Sequence, residues 1–286
     1  MFGFLNIYKP TGMTSHDVVA ILRRVTKIKQ IGHTGTLDPF AQGVLPIAID
    51  KATRLIEFLD DDKEYLAEIS FGKTTDSYDC DGEIVSQCDS KVTIEDVESG
   101  LENFKGEISQ LPPIYSAIKV KGKKLYEYAR EGKEVQIEPR TVFIEKIELK
   151  NFDEVAQKAE ILIKCSKGTY IRSIAHDLGQ LLGCGAHLSK LIRTQAGKFF
   201  IENAIALNDI KIIQDVEKNL IAPLDLINLP KVELDEIEHK KISMGQFIPN
   251  KNGLNENDFL ILVYNNEIKA IAQINNDLIK AKKVFN

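Results

Sequence analysis

Two hydrophobic periods interleave along this chain without settling into a repeat, and that irregular order limits the fold more than any single motif. Residues 4–10 read as a short strand stopped by Pro10, with a turn through Thr11-Gly12. Thr14 or Ser15 is placed to cap a helix whose apolar face is Val18, Val19, Ile21, Leu22 and Val25. Residues 31–43, rich in glycine, threonine and proline, predict a structured loop, followed by a helical pattern over 52–59. Alternation over 65–71 predicts a strand, and Thr93 caps a helix over 94–101. Residues 141–149 and 159–165 predict two strands, neighbours across a turn at Asn151-Phe152-Asp153, and 171–182 a helix ending at Gly183. A doubly wound fold would alternate strand and helix steadily. This order predicts an α+β domain on a mixed or antiparallel sheet.

Near residue 228 the pattern changes. Beyond Leu229-Pro230 come short β-type runs at 259–264 and 268–272, separated by the hairpin signal Asn265-Asn266. We therefore expect a main domain over 1–228 and a small β-rich appendage over 229–286. With 286 residues, 43% of them hydrophobic and 28% charged, the chain can bury a substantial core. No apolar run reaches the ~20 residues that span a bilayer, and the N-terminus lacks the pattern of a secretion signal, so a cytoplasmic protein is expected. The four cysteines form no C-x-x-C pair, which argues against a zinc site or a dithiol redox centre.

The net charge of −5 argues against a protein that coats nucleic acid indiscriminately. It leaves room for a local basic surface. Residues 113–133 carry six basic side chains, among them Lys119, Lys121, Lys123 and Lys124, against two acidic ones. Tyr115, Tyr126 and Tyr128 beside them favour contact with RNA, since aromatic faces stack on bases.

Read singly, the polar motifs are unremarkable. Asp38, ahead of Pro39, has the makings of a turn residue, although Gly32, Gly35 and Gly43 around it permit tight backbone geometry. The loop has neither G-x-x-x-x-G-K-[ST] nor G-x-G-x-x-G spacing, which argues against nucleotide-cofactor binding. His33, His16 and Asp17 lack metal-ligand spacing. Residues 76–83 hint at a calcium loop, but placing Gly82 sixth puts Ser77 first and Cys88 twelfth, so the segment reads as a solvated acidic turn. Arg172 falls near the start of a helix, where the dipole favours anions; its presence there points to a carboxylate or phosphate partner.

In combination they say more. Five blocks occur in order: residues 6–15, 32–46 (GHTGTLDPFAQGVLP), 74–82, 113–119 with 122–130, and 165–172 continuing through 183–188. Together they resemble the bacterial tRNA pseudouridine-55 synthases of the TruB type over about residues 6–193. The resemblance implies a pseudouridine synthase fold with a central mixed sheet and a PUA-like C-terminal domain. It implies isomerisation of the T-arm uridine of tRNA with no metal or organic cofactor, by a protein expected to be a monomer. It makes Asp38 the catalytic carboxylate, with Arg172 as its partner and Tyr65 stacked on the flipped uracil. Tyr170 and Leu191 complete an apolar enclosure, and His33 supports the flipped conformation. The basic segment, with Lys119 and Lys121, falls where the family carries an RNA-clamping insertion.

The chemistry suits these residue types. The N-glycosidic bond must break, and the uracil must turn and rejoin through C5. An ionised carboxylate can attack the sugar or remove a sugar proton. Arg172 is expected to hold Asp38 ionised, its pKa below the usual value of about 3.9. A tRNA-folding chaperone is a second reading. A two-carboxylate glycosidase is a third, weakened because no second acid is indicated near Asp38.

Overall fold

The computed structural model describes every residue except Lys121, Glu134, Asn252 and Asn286. It is an α+β protein with a large mixed sheet and a separate β-rich sheet formed by the C-terminal residues, as expected. In chain order the first elements are β1 (Gly3–Lys9), α1 (Ser15–Thr26), β2 (Ile31–His33), β3 (Gln42–Ile49) and β4 (Lys63–Phe71). A small hairpin follows, β5 (Lys73–Thr75) with β6 (Ile84–Gln87), then α2 (Ile94–Leu101) and β7 (Gly106–Gln110). The basic segment forms the hairpin β8 (Lys119–Val120) and β9 (Lys123–Lys124) with α3 (Leu125–Arg130). Next come β10 (Arg140–Asp153), β11 (Lys158–Cys165), α4 (Ile171–Leu181), β12 (Ala186–Ala196), β13 (Phe199–Phe200), β14 (Ile205–Ala206) and α5 (Ile213–Lys218). The C-terminal part holds β15 (Lys231–Glu233), α6 (Glu236–Ser243), β16 (Ile248–Pro249), β17 (Phe259–Tyr264), β18 (Glu267–Asn275) and β19 (Leu278–Val284).

The large sheet runs β14-β1-β3-β12-β4-β11-β10-β7, with β2 added to β3 and β13 to β12. Two of its pairings, β1 with β14 and β3 with β12, are parallel, and the remainder are antiparallel. The pairing of β3 with β12 sets Gln42 and Gly43 beside Ile192 and Arg193 at the sheet centre. β12 is bulged twice, between Leu188 and Lys190 and between Arg193 and Gln195.

Local chemistry explains the elements. Thr14 caps α1 by accepting from Asp17 N, while the Asp17 carboxylate accepts from Thr14 N. Ser15 is instead buried and turned toward the loop that precedes β3. Helix α2 has the same kind of box between Thr93 and Asp96. Asn265 and Asn266 both take positive φ, as the tight turn between β17 and β18 requires. Three details differ from expectation. The loop over 31–43 begins with a strand, the pattern over 52–59 is a 3-10 helix (Asp50–Phe58), and β10 continues through Asp153, so its turn with β11 lies over 154–157.

The main core packs α1, α2 and α4 on one side of the large sheet through residues such as Leu22, Val97 and Leu178. A second cluster joins the two sheets: Phe4, Val44 and Leu55 pack with Ile261, Val263 and Ile271. Each such side chain taken from water contributes about 1.5–3 kcal/mol. No helix among the described residues is long and apolar enough to cross a membrane.

Candidate active site

The loop of residues 34–41 is pinned at nearly every peptide. Thr34 N donates to Pro46 O at 3.1 Å, and Leu37 N donates to Ser15 Oγ at 2.8 Å, whose hydroxyl donates back to Leu37 O at 3.1 Å. Gly12 N reaches Pro39 O at 2.8 Å, and Ala41 N reaches Asp38 O at 3.1 Å. Beneath them Lys9, fully buried, donates through Nζ to Pro10 O at 2.9 Å and Met13 O at 2.7 Å. Burial holds its pKa down to about 8, against the pull of Asp38. Asp38 is therefore presented by a backbone with few ways to move.

Arg172, in the first turn of α4, lies 5% exposed at the centre of the site. Its Nε is 3.1 Å from Asp38 Oδ2, and its Nη1 is 3.1 Å from Asp79 Oδ2. Nη1 also donates to Ser77 O at 3.3 Å and Nη2 to Tyr115 O at 3.0 Å. One guanidinium thus joins two carboxylates and two backbone segments. Asp79 overturns two expectations. Its turn is not simply a solvated acidic loop, since Asp79 is 4% exposed, and a second acid does stand near Asp38. Both of its oxygens are engaged: Oδ1 accepts from the Ser77 hydroxyl and from Asp81 N, and Oδ2 takes the arginine.

The Asp38 carboxyl does not sit below the usual carboxylate range, as its ion pair alone would suggest. Loss of hydration in the cleft raises its pKa, Arg172 opposes that rise, and the Asp79 charge adds to it. Lys9 also favours the charged form, yet Arg172 is shared with Asp79 and so neutralises each acid only in part.

Asp38, Arg172 and Tyr115 form the wall between two clefts. One, of about 590 Å³, is acidic and lined by Asp76, Asp81 and Glu83 with Arg130 facing them. The other, of about 470 Å³, is lined by Tyr65, Tyr170, Leu191, Lys63 and Arg193. Tyr65 (8% exposed) and Leu191 (5%) are the apolar surfaces of this second cleft. Tyr170 precedes α4 and is fixed by Gln110, which donates to its carbonyl at 2.9 Å and accepts from its N–H at 2.7 Å. His33, on β2, lies just ahead of the lining run that begins at Thr34. Its Nδ1 is buried without a partner among the described residues, and burial, then Arg193, then His16 lower its pKa. Lys119 is exposed on the β8–β9 hairpin and lines neither of these clefts. Lys121 lies outside the described residues.

Arg193 carries no signal of its own in the sequence. It is 1% exposed and has no carboxylate partner among the described residues; its guanidinium donates to Val44 O at 2.7 Å, Gly35 O at 3.1 Å and Thr36 O at 3.4 Å. It also lies opposite Tyr65 across β4 and β12 and eases ionisation of that phenol, although burial keeps the Tyr65 pKa above its ordinary value. Gly43 adopts φ +108°, and a Cβ there would meet Arg193 O at 2.3 Å, so only glycine lets β3 pass this close to β12. Among the described residues no cluster of histidine, cysteine or carboxylate side chains is arranged to hold a metal ion.

Sequence profiles of known families match most of the chain. The N-terminal domain of TruB family pseudouridylate synthases matches residues 23–171, and the tRNA pseudouridylate synthase B C-terminal domain matches residues 172–227. A protein of Caldanaerobacter subterraneus named tRNA pseudouridine synthase B is 45% identical over 288 residues, 99% of each chain. One of the same name from Carboxydothermus hydrogenoformans is 43% identical, covering 100% of this chain and 99% of its own length. Among solved structures, a chain of an H/ACA ribonucleoprotein bound to a substrate RNA containing 2′-deoxyuridine superposes with a TM-score of 0.71 at 25% identity, over 100% of this chain and 85% of that one. A chain of a Cbf5-Nop10-Gar1 complex gives 0.72 at 27% identity, with the same coverage.

Proposed function

The chain belongs to the TruB family of pseudouridylate synthases, and from that membership we propose that it converts the T-arm uridine at position 55 of tRNA to pseudouridine, with Asp38 as the carboxylate that activates the flipped-out nucleotide. The observation that carries this reading is the Asp38–Arg172 contact at 3.1 Å on the wall of a cleft lined by Tyr65, Tyr170 and Leu191.

A uridine within a folded loop must leave its stack to be reached. The cleft offers it an aromatic face in Tyr65 and an apolar wall in Leu191, so the detached uracil stays enclosed while it turns. Asp38 faces the sugar. Its raised pKa makes the ionised carboxylate more basic and more nucleophilic than an ordinary aspartate, while Arg172 fixes its orientation. His33, next in the chain to the lining residue Thr34, supports the opened loop in this reading. Lys119 and Lys121, with the other lysines of residues 113–133, supply contacts to phosphate. Residues 1–228 are the catalytic unit in this reading, and 229–286 a PUA-like appendage.

A two-carboxylate hydrolase gains nothing from Asp79. The acid is buried, and both of its oxygens already accept hydrogen bonds, Oδ1 from Ser77 and Asp81 and Oδ2 from Arg172, so it is held as the arginine's partner. The test is to incubate Asp38→Asn protein with unmodified tRNA and probe for pseudouridine by chemical modification. Product at the wild-type level would remove Asp38 from the mechanism; loss of product with tRNA still bound is the expected result.

A further inference from the structure

Tyr78 lies between Ser77 and Asp79, two of the residues that Arg172 grips, and it is held by a contact that plays no part in the proposed chemistry. Its ring stacks on His176 with centroids 3.8 Å apart and planes 13° from parallel. His176 follows Arg172 by four residues on α4, so the two project from the same face of the helix. Helix α4 therefore holds the turn of residues 77–79 at two points one helical turn apart. Arg172 takes Ser77 O and the Asp79 carboxylate on either side of Tyr78, and His176 takes the Tyr78 ring.

The turn needs such a hold. Tyr78 adopts φ +65°, a left-handed conformation that a bulky side chain takes at a disadvantage. Its N–H donates to Thr75 O at 3.3 Å and its carbonyl accepts from Leu188 N at 3.0 Å, so the peptide is tied into β12 while the ring is turned onto α4. Asp79 owes its place to that conformation, which folds it back so that Oδ2 meets Arg172 and Oδ1 meets Ser77 and Asp81. Burial disfavours the charged imidazole, and Nδ1 of His176 is buried without a partner among the described residues, so the ring packs as a neutral aromatic.

We propose that the Tyr78–His176 stack is a positioning device for the reaction: it holds the strained 77–79 turn so that Asp79 shares Arg172 with Asp38 in the geometry catalysis needs. Neither ring touches the nucleotide; the effect passes through Asp79 and Arg172. The inference rests on Asp38 being the catalytic carboxylate, and Asp38→Asn measured in parallel separates the two. Full activity in that variant would defeat the role of Asp38, whereas a double-mutant cycle through Asp79 bears on the stack.

The experiment measures single-turnover pseudouridine formation and tRNA Kd for His176→Ala, His176→Phe and Tyr78→Gly, each alone and combined with Asp79→Asn. Loss of the stack in His176→Ala should lower the rate roughly two- to tenfold, the range expected of one aromatic pair, with Kd unchanged. His176→Phe, which keeps a flat ring, should restore the rate. Tyr78→Gly, which removes the strain together with the ring, should lose less than His176→Ala. With Asp79→Asn already present, removing His176 should add no further loss, because the route runs through that carboxylate. A wild-type rate in His176→Ala, or an equal fold loss with and without Asp79, overturns the proposal.

Discussion

Tyr65 and Arg193 face each other as register partners across the two central strands of the large sheet, one a flat apolar wall and the other a buried cation. The pairing joins the cleft wall to the loop that bears Asp38, because the same guanidinium donates to Gly35, Thr36 and Val44 carbonyls. Replacing Arg193 by methionine keeps much of the volume but leaves three inward carbonyls without their donor. Stability should fall by about 2–4 kcal/mol, and turnover should fall with it, while Arg193→Lys, whose single ammonium cannot reach all three acceptors, should be intermediate. Denaturant midpoints and initial rates check this order.

Asp38→Asn should abolish turnover without loss of stability. The folded-state pKa of Asp38 lies above its unfolded value, so the folded protein binds that proton more tightly than the unfolded chain does. Folding is then favoured at low pH, and this contribution is lost as pH rises past the ordinary carboxylate value and through the folded one. Asparagine does not ionise, and Arg172 keeps Asp79 as a partner. Thermal melts at neutral pH should place the variant level with the wild type or above it; a marked drop in Tm would contradict the raised pKa.

The acid limb of kcat/KM should report the same group. Activity should rise as pH increases through the Asp38 pKa, at a position above that of an ordinary aspartate. Asp79 raises the Asp38 pKa, so Asp79→Asn should move the limb to lower pH, whatever it does to the rate. Removing the guanidinium in Arg172→Met should move it the other way. Matching shifts in both variants would show that the limb belongs to another group.

Gly43→Ala should be strongly destabilising, by roughly 2–4 kcal/mol, since it combines a positive φ with a backbone collision. Gly122, also at positive φ but with open space around it, provides the comparison: alanine there meets only the conformational penalty of about 1 kcal/mol. Urea titrations of the two proteins should separate clearly.

Replacing Lys119, Lys121, Lys123 and Lys124 by alanine should weaken tRNA binding and flatten the slope of log K against log salt by about 0.7–0.9 for each phosphate no longer neutralised. Binding isotherms at several salt concentrations measure it. An unchanged slope would place the phosphate-binding groups elsewhere on the protein.

How much of this is readable in the sequence depends on whether a residue's neighbours in the chain are also its neighbours in space. The helix Ile94–Leu101 and the Asn265-Asn266 turn obey local rules, and both can be placed from them. Arg172 draws notice because it sits badly in its own helix, a local conflict that a distant partner resolves. Asp79 gives no such sign. Its turn has the composition of a solvated loop, and only a helix nearly a hundred residues later makes it buried. Arg193 is hidden by the two bulges of β12: the first shifts the inward phase from Ala186 and Leu188 to Leu191 and Arg193, the second shifts it on to Ala196, and the alternation a strand normally shows is broken. The raised pKa of Asp38 is beyond sequence altogether, since it depends first on how far the cleft strips the carboxyl of water and then on how one arginine is divided between two acids.

The placing of β1 has a consequence for synthesis on the ribosome. Phe4 exchanges backbone hydrogen bonds with Ile221 at 2.9 and 2.8 Å, Ile7 and Tyr8 lie beside Ile205 and Ala206, and the Phe2 ring stacks on Phe285. A nascent chain therefore carries β1 through most of its translation before those partners exist. The strand next to the catalytic loop is completed only when residues about two hundred positions downstream have emerged, so assembly of the cleft is a late and concerted event, and partly made chains should not modify RNA.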